Sequence, residues 1–155
     1  MEKHFTATVY IVAKIKGQKK VLLHKHKKLN IWLPIGGHIE KGETQIDAVI
    51  REVKEETNLD LILISTNKKP VKTNFVTELP LPIAILEENI PDYKNTKAHK
   101  HIDLIYVGRA KNISKLKMKE EYGWFSLEDL NKLDLGKEVK YLSKKALANN
   151  FLMMI

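Results

Sequence analysis

Glu52, Glu55 and Glu56 stand three and four residues apart. In a helix that spacing puts all three carboxylates on one face. Like charges held so close repel one another. A hard divalent cation such as Mg2+ or Mn2+, which takes oxygen ligands, would relieve the repulsion. Upstream stand Gly36 and Gly37, where no side chain blocks the approach of a backbone carbonyl to the same ion. Glu43 and Arg51 suit a different task. A bonded arginine–carboxylate pair would fix the loop against the helix and orient a neighbouring glutamate. The plainer alternative is a solvated helix laced with salt bridges. Residues 40–60 hold seven acidic and three basic side chains, net −4, inside a chain of net +8. An acidic island in a basic chain favours the cation.

The elements that must hold these groups follow from pattern. Thr44 is the expected N-cap, with Asp47 at the capping-box position. Ile46, Val49, Ile50, Val53 and Thr57 recur at the helical period and predict a helix to about Thr57. Asn58 stands where a left-handed residue would end it. Upstream, strands are expected over 5–13 and 20–26, joined by a turn over 16–19, with a polar turn over 27–30. Residues 31–35 predict an edge or irregular strand, since Pro34 has no amide hydrogen. Gly36-Gly37 is expected to break that strand and lead into a loop over 37–42. Downstream, a strand is expected over 59–65. Pro80 and Pro82 predict an irregular strand pair or extended edge over 74–90. A strand over 99–110 would put His99, His101, Asp103 and Ile105 on one face and Ile102, Leu104 and Tyr106 on the other. A basic, mobile connection over 111–121, a brief strand over 122–125, a short helix capped by Ser126 and a C-terminal helix over 135–154 complete the reading.

The 155 residues suit one domain, 1–155, with one core. A hydrophobic share of 43% and a charged share of 30% describe a soluble globular chain. No apolar run reaches the ~18–20 residues that span a bilayer, which excludes a membrane-spanning helix. The N-terminal MEKHFTATVYIV lacks a signal-peptide layout. With no cysteine there is no disulfide or thiolate site, which fits a cytoplasmic location. The positive charge favours phosphate-bearing partners. No aromatic-plus-basic ribbon marks a nucleic-acid reader, so a small nucleotide is the expected partner of a monomer or homodimer.

Gly37, five residues, Glu43, seven residues and then Arg51-Glu52-Val53-Lys54-Glu55-Glu56-Thr57-Asn58-Leu59 resembles the Nudix box, G-x5-E-x7-R-E-U-x-E-E-x-G-U, where U is bulky and aliphatic. Every defined position matches except Asn58, which stands in place of glycine. Trp32-Leu33-Pro34 and Gly123-Trp124-Phe125-Ser126 are similar to the flanks of MutT-type members. The resemblance implies an α+β Nudix fold, an α/β/α sandwich around a mixed β-sheet, with the box as loop–helix–loop. It implies Mg2+- or Mn2+-dependent hydrolysis of the pyrophosphate bond in a nucleoside di- or triphosphate derivative. The metal ligands would be Glu52, Glu55, Glu56 and the carbonyl of Gly36 or Gly37, with Glu43 and Arg51 as the supporting pair. That reaction needs phosphoryl charge neutralised and a water placed in line, with a base for its proton. Glu55 or Glu56 is the candidate base within the box, and Glu120 or Glu121 the candidate from a later loop. The short reach before the first strand tilts the expected substrate from ADP-ribose toward a triphosphate.

Substrate contacts are expected from Lys25, Trp32, His99, His101, Asp103 and Tyr106. The lysine could meet phosphate, as could Lys27 and Lys28, and the two aromatic rings could stack on a base; the plainer alternatives are ordinary exposed lysines and core or rim packing of each ring. His99, His101 and Asp103 would line a substrate pocket, contact phosphate or bind a transition metal. A catalytically quiet nucleotide- or RNA-binding module is the rival function. Three repelling glutamates, which a pure binder does not need, argue against it.

Overall fold

Strand β1 (Lys3–Ile15) is the axis on which the other elements are laid. The computed structural model describes residues 1–65 and 67–148. One edge of β1 pairs in parallel with β7 (His99–Ala110) over Lys3–Ile11. The other edge is shared. Its first half pairs antiparallel with β4 (Ile35–His38), its second half with β2 (Gln18–His26). Lys16 and Gly17 both take positive φ (51° and 80°), the backbone that a tight hairpin between β1 and β2 requires. β3 (Ile31–Leu33) and β8 (Tyr122–Phe125) flank β2, while β5 (Leu61–Leu63) and β6 (Ala84–Ile90) flank β7.

Alternation along β1 and β7 splits the apolar residues between two faces. Ala7, Val9, Ile11 and Tyr106 face α1 (Gln45–Thr57). Tyr10, Val12, Ile105 and Val107 face α2 (Leu127–Lys132) and α3 (Lys137–Ala148). Helices thus cover both faces of a mixed sheet. Among the described residues no helix is long and apolar enough to cross a membrane.

Several elements differ from their sequence expectation. Gly36 and Gly37 do not break the strand; they lie within β4, opposite Thr8 and Ala7. The interruption falls at Pro34, where the chain leaves its pairing with β2 and joins β1. Residues 84–90 form a regular strand bonded to β7 along its length, and only the part around the prolines stays irregular. The strand expected over 59–65 shrinks to Leu61–Leu63. The connection over 111–121 contains a 3-10 turn and is tied to the end of α1. The Lys117 amide donates to the Thr57 carbonyl (2.9 Å) and Asn58 Nδ2 to the Lys115 carbonyl (3.2 Å). The C-terminal helix covers Lys137–Ala148, and the rest of the expected span lies outside the described residues.

Helix α1 begins where the capping pattern puts it. The Thr44 side chain accepts from the Asp47 amide, and Asp47 accepts from the Thr44 amide. It ends at Asn58, which takes φ 61° in the box's glycine position. Ala48, Val49 and Val53 are fully buried. Each buried valine contributes about 1.5–3 kcal/mol. That burial, rather than intrinsic propensity, holds a helix whose outer face carries like charges.

Candidate active site

Arg51 is the hub of the carboxylate face. Its Nε donates to Glu43 Oε2 (2.8 Å) and its Nη2 to Glu43 Oε1 (3.0 Å), the fork geometry of a bidentate pair. Nη1 reaches Glu52 (2.9 Å) and, more loosely, Glu55 (3.4 Å). Nη2 also donates to the His38 carbonyl at 3.0 Å. The hydrogen bond from Arg51 holds the Glu43 carboxyl below its ordinary range, and Glu43 in turn holds the guanidinium above its own. Loop, helix and β4 are thereby pinned by one side chain.

Glu56 is the strained member of the set. Its carboxyl is pushed up to about 8, first by burial, then by its hydrogen bond with Glu52 and the charges of Glu52, Glu120 and Glu55. A carboxyl buried among other carboxyls favours its neutral, protonated form. A cation would replace that proton, so the donor set fits a hard divalent ion. Glu55 is the outer member, with its side chain 59% exposed.

Strand parity decides between the two glycine carbonyls. The Ile39 amide donates to the Phe5 carbonyl (3.0 Å). In an antiparallel ladder alternate residues take the bonded positions, so Gly37 faces β1 with both backbone groups. Gly36 and His38 turn theirs to the free edge, where Arg51 already bonds the His38 carbonyl. The Gly36 carbonyl is therefore the open one. The two glycines are also crowded differently. A Cβ on Gly36 would lie 2.7 Å from the Ala7 carbonyl oxygen and 2.9 Å from Thr8 Cα, both backbone atoms. A Cβ on Gly37 would first meet the Glu52 carboxylate, the far end of a side chain that can move. Gly36→Ala is expected to cost about 1–3 kcal/mol of stability through overpacking. Gly37→Ala should leave the urea midpoint nearly unchanged while lowering turnover through a displaced Glu52. Denaturation and turnover measured side by side on both variants check this.

Glu120 enters from the chain before β8. Its carboxylate meets His24 Nδ1 at 2.5 Å, and His24 Nε2 meets the Pro34 carbonyl at 3.1 Å. His24 thus ties Glu120 to the β3–β4 junction, a role that sequence reasoning missed. The partners are 96 residues apart, and nothing local marks them. Glu121 is exposed and meets β2 only through its backbone, accepting from the Lys25 amide at 2.7 Å. A cavity of about 840 Å3 is lined by Gly36, Glu55, Glu56, Glu120, Lys117 and Lys119.

The expected substrate contacts are not brought together there. Lys25 and Trp32 pair across β2 and β3, with Lys25 Nζ 5.7 Å from the indole centre and Phe125 edge-on at 4.9 Å. Neither residue lines this cavity. Tyr106 does not present a ring for stacking: it is 1% exposed, packs under α1, and donates to the Pro80 carbonyl (3.2 Å). Alternation assigns its face correctly, but that face is the one α1 covers. A second cavity, of about 270 Å3, opens on the α3 side and is lined by Thr8, Gly37, Glu88, His101 and Asp103. Asp103 does not join the histidines as a ligand set. Both of its oxygens accept from Thr8 Oγ1 at 2.9 Å, and burial raises its carboxyl. His99 and His101 face His4 and His38 instead, two residues no local signal had grouped with them.

Residues 4–146 match the model of the NUDIX domain. A hydrolase of the NUDIX family from Clostridium perfringens is 30% identical, with a TM-score of 0.73, and the alignment covers 96% of this chain and 98% of that one. An Ap4A hydrolase from C. elegans shares the fold at 23% identity and a TM-score of 0.62, covering 98% and 99%. The m7GpppN-mRNA hydrolase NUDT17 of Xenopus laevis is 46% identical over 52 residues, which are 30% of this chain and 18% of that protein. An uncharacterised Nudix hydrolase of Nostoc is 37% identical over 62 residues, 38% of this chain and 37% of its own. The chain thus spans well under half the length of these two curated relatives. With the family match running through nearly the whole fold and the box residues braced around one helix, the chain belongs to the Nudix hydrolase family.

Proposed function

We propose that the protein is a Mg2+- or Mn2+-dependent hydrolase of the pyrophosphate bond in a nucleoside di- or triphosphate derivative. The observation that carries this reading is that Gly36, Glu55 and Glu56 line one cavity, with Glu52 fixed on the same helix by Arg51. Glu52, Glu56 and that carbonyl would hold the ion, with Glu55 as the outer ligand. The bound ion would polarise the phosphoryl oxygens and acidify a water. Arg51, anchored by Glu43, fixes the direction of Glu52. Glu120 lines the same cavity, is oriented by His24, and is the group assigned to accept the water's proton. Lys117 and Lys119 on the cavity wall supply the positive field a phosphate chain would meet.

The substrate class draws support from named neighbours. Besides the Ap4A and mRNA-cap hydrolases, a dihydroneopterin triphosphate pyrophosphohydrolase of E. coli shares the fold. The decisive experiment is a panel of nucleoside triphosphates, nucleotide sugars, ADP-ribose, dinucleoside polyphosphates and capped RNA under Mg2+. Phosphate and pyrophosphate release and product masses are read for each. Cleavage between two phosphorus atoms is expected for at least one class. Binding without turnover across the panel would instead identify a quiet nucleotide-binding module.

A further inference from the structure

His4, His38, His99 and His101 converge at one end of the sheet, each offering a ring nitrogen within 4.8 Å of the other three. Three strands bring them there. The parallel ladder sets His4 opposite His101. His99 precedes His101 by two residues and so shares its face of β7. His38 ends β4, opposite Thr6.

The nitrogens that face one another are not engaged elsewhere in the protein. His4 Nδ1 is buried and has no hydrogen-bond partner, while its Nε2 lies 3.0 Å from a Glu2 oxygen. His99 Nδ1 lies 2.9 Å from the Lys97 carbonyl. A carbonyl only accepts, so Nδ1 carries the proton and Nε2 is left with a lone pair. That Nε2 accepts a hydrogen bond from His101 Nε2 at 3.0 Å, through a proton that a metal ion would replace. The outer nitrogen of His101 lies 3.8 Å from a Glu88 carboxylate oxygen, an ion-pair distance and not a hydrogen bond. In His4 and His99 an acceptor on the outer nitrogen leaves the other nitrogen turned to the cluster, the arrangement that orients metal-ligating histidines. Nitrogens about 2.0–2.1 Å from a tetrahedral zinc are about 3.3 Å from one another, close to the His99–His101 separation. His38 is exposed and leaves the cluster an entry path from solvent.

We propose that His4, His38, His99 and His101 form a second metal site, which takes one late first-row divalent transition metal ion, zinc foremost. Imidazole nitrogen and carboxylate oxygen sort the two kinds of ion: the glutamates suit Mg2+ or Mn2+, the histidines zinc. Four protein ligands leave no open position, so the ion is structural. It would staple the start of β1 to β7 and to the residue after Gly36-Gly37. The carbonyl of His38 also holds Arg51, so the staple steadies the brace of the glutamate site.

The test uses the full, untagged chain. Protein stripped with a chelator is dialysed against zinc in the presence of excess Mg2+, and bound metal is counted by mass spectrometry. Cobalt substitution then reads coordination geometry from visible absorbance. One zinc per chain is expected, with the strong bands of tetrahedral cobalt. A Glu52→Gln/Glu56→Gln variant should retain the zinc, and His99→Gln/His101→Gln should lose it. Zinc should raise the thermal midpoint of the wild type and not that of the histidine variant. The single His4→Gln variant repeats the comparison should the double variant fail to fold. Substoichiometric zinc in the wild type, zinc unchanged by the histidine substitutions, or zinc lost from the glutamate variant would each overturn the proposal.

Discussion

Glu56→Gln is expected to cut turnover at least ~10²-fold, the usual scale for loss of a metal ligand or acid–base group. In metal-free protein it is also expected to raise the thermal midpoint above neutral pH. The sign follows from the two states of the glutamate. Its carboxyl titrates near 4.5 when unfolded and near 8 in the fold. Between those values the folded chain keeps a proton that the unfolded chain has released. The contribution of Glu56 to stability is therefore complete below the unfolded value, falls as pH rises, and is gone above the folded one. Glutamine carries no charge, so the slope disappears with the carboxyl. Melting curves from about pH 5 to about pH 9 in chelator read the difference. Parallel curves for wild type and variant would remove the basis for a raised Glu56 carboxyl. Glu55→Gln should lower turnover without this gain, because Glu55 is mostly exposed. Glu120→Gln separates base from ligand: turnover falls while Mg2+ affinity holds.

Removing divalent ions is expected to abolish hydrolysis, and Mg2+ or Mn2+ to restore it in full. The Mg2+ concentration needed should fall as pH rises toward 8, since the ion must displace the proton held on Glu56. Rates measured against Mg2+ at several pH values give that dependence. Turnover that survives chelation would contradict the assignment of the glutamates.

What the sequence made legible was mostly local. Thr44, Asp47 and Asn58 set both ends of α1 through contacts within a turn of themselves, and the structure places both caps there. The Glu43–Arg51 pair is nearly as local, spanning eight residues. The rest depended on pairing between distant segments. Gly36-Gly37 reads as a break because glycine disfavours strands, yet β1 supplies a partner edge that overrides the preference. Pro80 and Pro82 suggested an irregular strand pair or extended edge in a segment whose C-terminal half is fixed by β7. The parity of β7 put Tyr106 on the right face, but parity does not tell which face a helix will cover. His24 with Glu120, and His4 and His38 with His99 and His101, meet only because β1, β2, β4 and β7 are neighbours in the sheet.

The parallel pairing of β1 with β7 has a kinetic consequence. Lys3 lies opposite Lys100, so the central ladder closes a loop that encloses most of the chain. During synthesis, β1 and α1 emerge long before the strand that completes their support. A thirteen-residue helix is too short to persist alone, the more so with like charges along one face. An N-terminal fragment ending before β7 lacks the parallel ladder on β1 and the Tyr106 ring packed under α1. The site should therefore appear late and all at once, and fragments carrying the entire box should bind no metal and show no activity.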